Sequence, residues 1–428
     1  MKKTNFAATA VAIAITGLLS VSAASAQSTV TLYGLVDAGV NHVTGLRNGS
    51  NTAIASGIME GTRWGLRGSE DIGNGYKGIF TFESRVEVDT GSVSNRPASG
   101  NQLPDRFSSA VAMGLPAALQ PVITGVGGNL GGTVGVNLAG NLFDRQAFGG
   151  LITPFGAFTL GRQYTPAYLL SAAFDASQTQ SSLAVGQVAS FPQGIEIRSS
   201  NTLQYGIRTG GVTATLMYGA GETGSSSVNN RFYGAMAMYK ATGFSAGYGY
   251  NQRNNELGKR SLHNHVFGAT FDVGPGTVYG QYATIKNNNP SNFSTIGTTV
   301  AGLLSGGQTP TAVQIGTGAL VQNAYFNAFK QDARLMHIGY RMITGPNTIV
   351  VAYNRLDDKR PANADTDSYG ITYTYALSKR TNLNAVLTRF VNKGQGQAAP
   401  GGAGFLGGVT SAAGVDSTNL AFGVRHSF

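Results

Sequence analysis

Ser417-Thr-Asn-Leu-Ala-Phe-Gly-Val-Arg-His-Ser-Phe428 decides how the rest of the chain is read. Leu420, Phe422, Val424, His426 and Phe428 share one face; Asn419, Ala421, Gly423, Arg425 and Ser427 share the other. A period of two, with one apolar and one polar or small face, marks a β-strand between two unlike environments. The alternation runs to the last residue, where soluble proteins more often end in a frayed polar tail. A strand needs partners for its backbone groups, and a closed barrel supplies one from its first strand.

Thr29-Val-Thr-Leu-Tyr-Gly-Leu-Val-Asp-Ala-Gly-Val40 is that first strand. Val30, Leu32, Val36, Ala38 and Val40 are expected outward, and Thr31, Tyr33 and Asp37 inward. Before it, Lys2 and Lys3 precede an apolar run from about Phe6 to Val21, then Ala24-Ser-Ala26. A basic stretch, an apolar core and a small-residue site predict a secretory signal peptide over 1–26, cleaved after Ala26. Removal leaves 402 residues carrying +8. No later segment approaches the ~18 apolar residues of a spanning helix, so membrane insertion must use strands.

The composition agrees. Cysteine is absent, which excludes disulfides, thiolate chemistry and Cys-ligated metal. Glycine is 61 of 428 residues, about twice the usual share, and only 12% of residues are charged, about half the usual share. Low charge with alternating faces suits an outer surface that meets lipid. The basic residues are spread along strands rather than clustered, so no nucleic-acid partner is expected.

Period-two segments recur near 62–71, 75–90, 141–152, 157–164, 197–208, 212–220, 230–241 and 244–254. They continue near 262–273, 276–287, 331–343, 347–358, 366–377 and 381–393, which makes sixteen with the first and last strands. Every second connection is a tight Gly, Pro, Asn or Asp turn, such as Asp71-Ile-Gly-Asn-Gly75, Val273-Gly-Pro-Gly276 or Thr344-Gly-Pro-Asn347. The intervening connections are mostly long: about 42–61, 91–140, 165–196, 288–330 and 394–416. This asymmetry predicts an all-β, 16-stranded antiparallel transmembrane β-barrel over 27–428, with short periplasmic turns and long external loops.

At this point the chain resembles the general porins of Gram-negative bacteria, of the Burkholderia and Bordetella type. The resemblance is carried by Val30-Thr-Leu-Tyr-Gly-Leu-Val-Asp-Ala-Gly39, Arg63-Trp-Gly-Leu-Arg-Gly-Ser-Glu-Asp-Ile-Gly73 and Phe80-Thr-Phe-Glu83. Asp144-Arg-Gln-Ala-Phe-Gly149, Phe158-Thr-Leu-Gly-Arg-Gln163 and Gly423-Val-Arg-His-Ser-Phe428 complete it. It implies an outer-membrane homotrimer of water-filled channels for passive diffusion of small hydrophilic solutes and ions. It implies a third external loop folded into the bore, here about 165–196, and contact with outer-membrane lipid, lipopolysaccharide and the barrel-assembly machinery. Phe428 resembles the family's assembly signal. The loops at 91–140, 288–330 and 394–416 resemble nothing familiar.

Permeation needs a wide bore and a field across it rather than bond chemistry. Strand parity places Arg63, Arg67 and Ser69 inward because Trp64, Leu66 and Gly68 face lipid. It places Glu83, Arg85, Glu87 and Asp89 inward, and Arg198, Ser200, Thr202 and Gln204 inward. An outward Phe148 would put Arg145 inward. Arg63 and Arg145 match the family's wall arginines, and Arg198 resembles the next of that cluster. The expected pore constriction is therefore Arg63, Arg145, Arg198 and Arg85 against Glu83, Glu87, Asp175 and Glu196. Arg162 shares parity with outward Phe158 and Leu160, which assigns it to the trimer interface. The arginines and the net charge predict anion preference.

Other signals are weaker. Gly73-Asn-Gly-Tyr-Lys-Gly78 has nucleotide-loop spacing but lies in a hairpin and leads into a strand. His263 and His265 share a face, as an ordinary loop-proximal pair would. The tract 223–230 and the Gly-rich 123–140 read as solvated loops. No cofactor, metal or catalytic residue is expected. Alternatives to a porin are an outer-membrane phospholipase- or protease-type barrel, and an adhesive barrel.

Overall fold

A computed structural model describes residues 28–94, 103–129, 137, 139–179, 181–188, 194–222, 224, 226–400 and 408–428. The expected signal peptide lies outside the described residues. The wall begins with β1 (Thr29–Leu46), β2 (Gly49–Ser56), β3 (Arg63–Gly73), β4 (Tyr76–Arg85), β5 (Gln146–Thr153) and β6 (Gly156–Tyr164). It continues with β7 (Arg198–Thr209), β8 (Val212–Gly219), β9 (Phe232–Ala241), β10 (Phe244–Asn254), β11 (Arg260–Val273) and β12 (Gly276–Asn287). Next come β13 (Gln331–Thr344), β14 (Asn347–Asp358), β15 (Thr366–Ala376) and β16 (Thr381–Asn392). A separate two-strand ladder, β17 (Ala398–Ala399) with β18 (Gly408–Val409), precedes the closing strand β19 (Ser417–Ser427).

Pairing is antiparallel throughout, and β19 closes the barrel on β1 from Leu35–Ser427 to Val43–Asn419. On its other side, β1 pairs with β3 along Thr29–Leu35 and with β2 along Ala38–Leu46. β2 and β3 therefore occupy one position, interrupted at 57–62, and the wall is a sixteen-strand barrel. The expected loop 42–61 is thus mostly strand. The interruption is built by Asp37, whose carboxylate accepts from the backbone N–H of Ile58, Met59 and Glu60 at 3.2, 2.9 and 2.8 Å.

The two faces differ as the alternation predicts. Outward, Val30, Leu32, Leu160, Leu216, Ile338 and Phe422 are exposed. Aromatic side chains line both edges of this face: Tyr218, Tyr233, Tyr248, Phe267 and Tyr369 toward the long loops, and Phe155, Tyr239, Phe271, Tyr373 and Tyr375 toward the short turns. An apolar band between aromatic girdles is the outer surface of a membrane barrel. No helix among the described residues is long and apolar enough to cross a membrane.

The seam is closed to the end. Gly34 and Phe428 exchange backbone hydrogen bonds at 3.2 and 3.1 Å, and the Phe428 ring lies where a Gly34 side chain would be.

The long loops are not structureless. Helices α1 (Asp105–Ser108), α2 (Gln120–Asn129), α5 (Ile296–Leu304) and α6 (Ala312–Phe329) lie in 91–140 and 288–330, while α3 (Pro166–Ala173) and α4 (Val185–Val188) lie in 165–196. Thr311 and Gln314 form a capping box at the start of α6, a sequence signal for a helix that the loop reading passed over. Ile123, Val126, Val300, Val321 and Tyr325 form a small core of their own above the barrel. Tyr325 Oη donates to Ile123 O at 3.1 Å, and burial pushes its phenol up to about 12. Within 123–140, Ile123 and Val126 of α2 are therefore packed rather than solvated; 130–136 and 138 lie outside the described residues. An Arg47–Asp105 ion pair at 2.5 Å and a Gln397–Asp105 hydrogen bond at 3.2 Å fasten this cap to the wall and to the last long loop.

Candidate functional site

The loop between β6 and β7 lies against the inner face of the wall. Strands β9, β10, β11 and β13 carry glycines where it passes. A Cβ at Gly234 would meet Pro166 at 2.7 Å, at Gly247 Leu170 at 2.7 Å, at Gly268 the Phe174 ring at 2.3 Å, and at Gly339 Ala176 at 2.4 Å. Glycine weakens a strand but lets another backbone approach closely. Leu170 and Phe174 are buried with Met236, Val266, Ile285, Leu335 and Phe390, all on the inner face. Each such side chain adds about 2 kcal/mol of apolar burial.

Inward amides and hydroxyls then satisfy the loop's backbone. Asn251 Oδ1 accepts from Ala167 N at 3.1 Å, and Gln281 Nε2 donates to Ser171 O at 3.1 Å. His337 Nε2 accepts from Ala176 N at 3.0 Å, so its Nδ1–H donates to Asn354 Oδ1 at 2.6 Å. Asn354 Nδ2 donates in turn to Leu183 O at 3.0 Å.

Across from this packed half, charged side chains gather on β3 to β7 and the seam. Glu83 is buried and accepts from Arg145 Nε at 2.7 Å and from Tyr33 Oη at 3.1 Å, with Arg63 Nε at 3.6 Å. Arg63 also approaches Glu60 at 3.4 Å, and Arg425 of β19 pairs with Glu60 at 2.9 Å. Tyr164 Oη accepts from Arg145 Nη2 at 3.0 Å and from Arg198 Nη2 at 2.9 Å, while the Arg198 guanidinium lies 4.5 Å from the Tyr164 ring centroid. Four arginines thus share two carboxylates and one phenol. Arg145 Nη1 and Arg198 Nε are buried with no acceptor among the described residues.

The structure brings Arg63, Arg145, Arg198 and Glu83 together, as expected. Arg85 is beside them on β4 but pairs with Asp144 at 3.5 Å and Glu87 at 3.2 Å. Glu196 is held by Arg253 of β10, at 2.5 and 3.0 Å, and so faces a different arginine from those expected. Asp175 accepts from Ser177 N, Ser177 Oγ and Val185 N at 2.9, 2.7 and 2.7 Å, so its contacts shape the loop. Asp89 lies beyond the end of β4 and is exposed.

Two parity arguments need correction. Phe148 faces inward, because it pairs with Thr81 while its neighbour Ala147 pairs with outward Phe82. Arg145 reaches Glu83 anyway because it precedes β5 and is not bound by that strand's alternation. Ser200 is exposed and accepts from Arg162 Nη1 at 2.9 Å; the left-handed Asn201 (φ 58°) shifts the alternation there. Arg162 itself pairs with Ala147 on the outer face and donates to Asp144 O at 2.6 Å.

The site residues missed in the sequence are Tyr164, Glu60, Arg425 and Arg253. The register of β6 shifts between Gly161 and Gln163, which turns Tyr164 inward against simple parity; Gly161 (φ 136°) is the one local hint. Glu60 lay within an expected loop. Arg425 was on the polar face of the closing strand and carried its own signal.

A closed barrel with a girdled lipid face, an infolded loop and a charged inner wall defines a channel-forming membrane barrel. A model of the Gram-negative porin family matches residues 7–395, and the chain belongs to that family. It is similar to outer membrane porin protein 32 of Delftia acidovorans, 26% identical over 97% of this chain and 99% of the relative. It is also similar to an outer membrane porin protein of Bordetella pertussis, 24% identical over 85% of this chain and 89% of that one. Among solved structures, the anion-selective porin from Comamonas acidovorans superposes with a TM-score of 0.65 at 22% identity, covering 94% of this chain and 100% of that one. An outer membrane protein of Vibrio cholerae in trimer form superposes at 0.55 with 11% identity, covering 94% and 99%. The protein is an outer-membrane porin.

Proposed function

We propose that the channel passes small hydrophilic solutes with a preference for anions, set by Arg63, Arg145, Arg198 and Arg425 against Glu60 and Glu83. The observation that carries this reading is the excess of arginine over carboxylate in this cluster, with Arg145 Nη1 and Arg198 Nε lacking an acceptor among the described residues. Cations clustered on a low-dielectric wall focus the field in the bore, whereas charges on the external loops are screened within ~8–10 Å. Arg253 with Glu196 is self-neutralised, and Arg85 with Glu87 and Asp144 carries one net negative charge that offsets part of the cluster. The similar Comamonas structure, described as anion-selective, is in keeping with this. The test is the reversal potential in a KCl gradient. Wild type should favour chloride, and Arg145→Ser with Arg198→Ser should move the permeability ratio toward cations by about an order of magnitude. A cation-selective wild type, or a double variant with no shift, refutes the assignment.

In this reading the loop 165–196 is the constriction, and the working form is a homotrimer in contact with lipid and lipopolysaccharide. Arg162, half-buried on the outer face beside Leu160 and Leu203, belongs to the subunit interface, and Phe428 to the signal read by the barrel-assembly machinery. Arg162→Ala should lower the trimer dissociation temperature in detergent while leaving conductance nearly unchanged. Deleting Phe428 should sharply reduce inserted protein. Altered selectivity with intact trimers, or normal insertion of the deletion variant, would sink the respective roles.

A further inference from the structure

On β11 the lipid-facing side chains stop being apolar above Phe267, and His263 lies ten residues above the turn at Val273. At ~3.3 Å per residue and a tilt of ~40°, that is about 25 Å, the height of an outer-membrane apolar band. There His263 stands opposite Lys286 of β12, and Lys286 opposite Asp332 of β13. One row nearer the membrane centre, Tyr250, His265, Thr284 and Arg334 are successive neighbours across β10 to β13. Arg260 donates to Tyr250 Oη at 3.4 Å, which places its guanidinium on this same face, and Tyr248 Oη lies 2.8 Å from His265 Nδ1. Exposed Phe267, Tyr282 and Met336 continue the face downward.

The charge here is unbalanced. Arg260, Lys286 and Arg334 are exposed. The acid beside them is Asp332, 3.7 Å from Lys286. Asp357, opposite Arg334, is taken by Lys359. Elsewhere on the external rim Arg355 is matched by Asp365 and Asp367, Lys393 by Asp367 and Arg389 by Asp416, while Arg231 lies against Tyr218 and Tyr233 with no acid beside it among the described residues. The surplus is densest on β11–β13, where three cations stand together, several strands away from Arg162 on β6. Basic residues at the edge of an apolar band, above aromatic side chains, fit an anionic lipid headgroup whose acyl chains lie along the wall.

We propose that the outer face of β11–β13 binds the phosphate groups of a phosphorylated glycolipid of the outer leaflet, through Arg260, Lys286 and Arg334. This rests on the lipopolysaccharide contact proposed above and gives it a location and a chemistry. None of the three cations lies in the bore, so conductance reports separately on the channel reading.

The test uses the full-length purified porin and a bisphosphorylated lipid A, its enzymatically dephosphorylated form, and phosphatidylethanolamine as probes. Bound lipid is counted by native mass spectrometry, and the shift in thermal midpoint is followed against lipid concentration. Wild type should bind the phosphorylated probe at least about tenfold more tightly than either other lipid. Arg260→Gln with Lys286→Gln and Arg334→Gln should abolish that preference while keeping wild-type conductance in glycolipid-free bilayers. Should the triple variant insert poorly, Arg334→Gln alone should give a partial loss, and Arg389→Gln on the matched rim should give none. Equal binding of the dephosphorylated probe, wild-type binding by the variants, or a change in oligomeric state as their sole effect overturns the proposal. Loss of channel activity with the phosphate preference intact would instead count against the channel reading.

Discussion

The two halves of the inner wall solve different problems. From β9 to β16 the wall is lined mainly with glycine, aliphatic side chains and amides, its inward Arg253 and Arg341 are bound to the loop, and it is covered by that infolded loop. From β1 to β7 it carries arginines and carboxylates in contact with one another. The first half sets how much of the bore is filled, through packing and backbone hydrogen bonds. The second sets the field across what remains. A change in one half should therefore move bore size, and a change in the other should move selectivity.

The largest expected effect is on the packed half. Phe174→Ala empties a fully buried position and should cost about 3–5 kcal/mol of loop docking. Hydrogen exchange at 166–176 should rise, and conductance should increase with little change in ion preference. Unchanged exchange would show that the hydrogen bonds to Asn251, Gln281 and His337 hold the loop unaided. Gly268→Ala attacks the same contact from the wall side, where the new methyl would lie 2.3 Å from the Phe174 ring. Overpacking of this kind costs about 1–3 kcal/mol, and the same exchange signal should appear more weakly. Smallest is Tyr164→Phe in the charged half. It keeps the ring under Arg198 but removes the acceptor shared with Arg145, a loss of about 1–3 kcal/mol locally. Selectivity should fall modestly at constant conductance. A conductance change comparable to that of Phe174→Ala would break the division between the halves.

Most of the wall was legible because a closed barrel imposes one rule, apolar out and polar in, on every strand. Val30 to Val40 and Leu420 to Phe428 follow it and fall as expected. The rule failed where local geometry interrupts the period: at Gly161, at Asn201 and in the segment 57–62 that Asp37 folds inward. It also failed where the inner face is not polar. Val266, Leu335 and Phe390 face the loop rather than water, so their strands carry apolar residues on both faces and the pattern blurs. The arginine cluster was half visible, since Arg63, Arg198 and Glu83 obey parity. Tyr164, which joins Arg145 to Arg198, was hidden by a single bulge. The helices of the cap were obscured by glycine-rich flanks and by a core contributed by segments nearly 200 residues apart.

The loop's seat also carries a timetable. Ala167 is tied to Asn251, Ser171 to Gln281, Ala176 to His337 and Leu183 to Asn354, and Ser182 is tied to Thr388 and Asn419. From Ala167 to Ser182 the loop engages later and later strands, at sequence separations growing from 84 to 237 residues, and it then returns through Leu183 on β14 to Gly194 on β11 and Glu196 on β10. No early part of the wall can receive the whole loop, and each added strand can capture the next few residues of it. Contacts so distant in sequence form late. The narrowing would therefore be completed only as β19 reaches β1, and a barrel arrested midway would hold a loop fastened at both ends and loose in its middle, around Ser182.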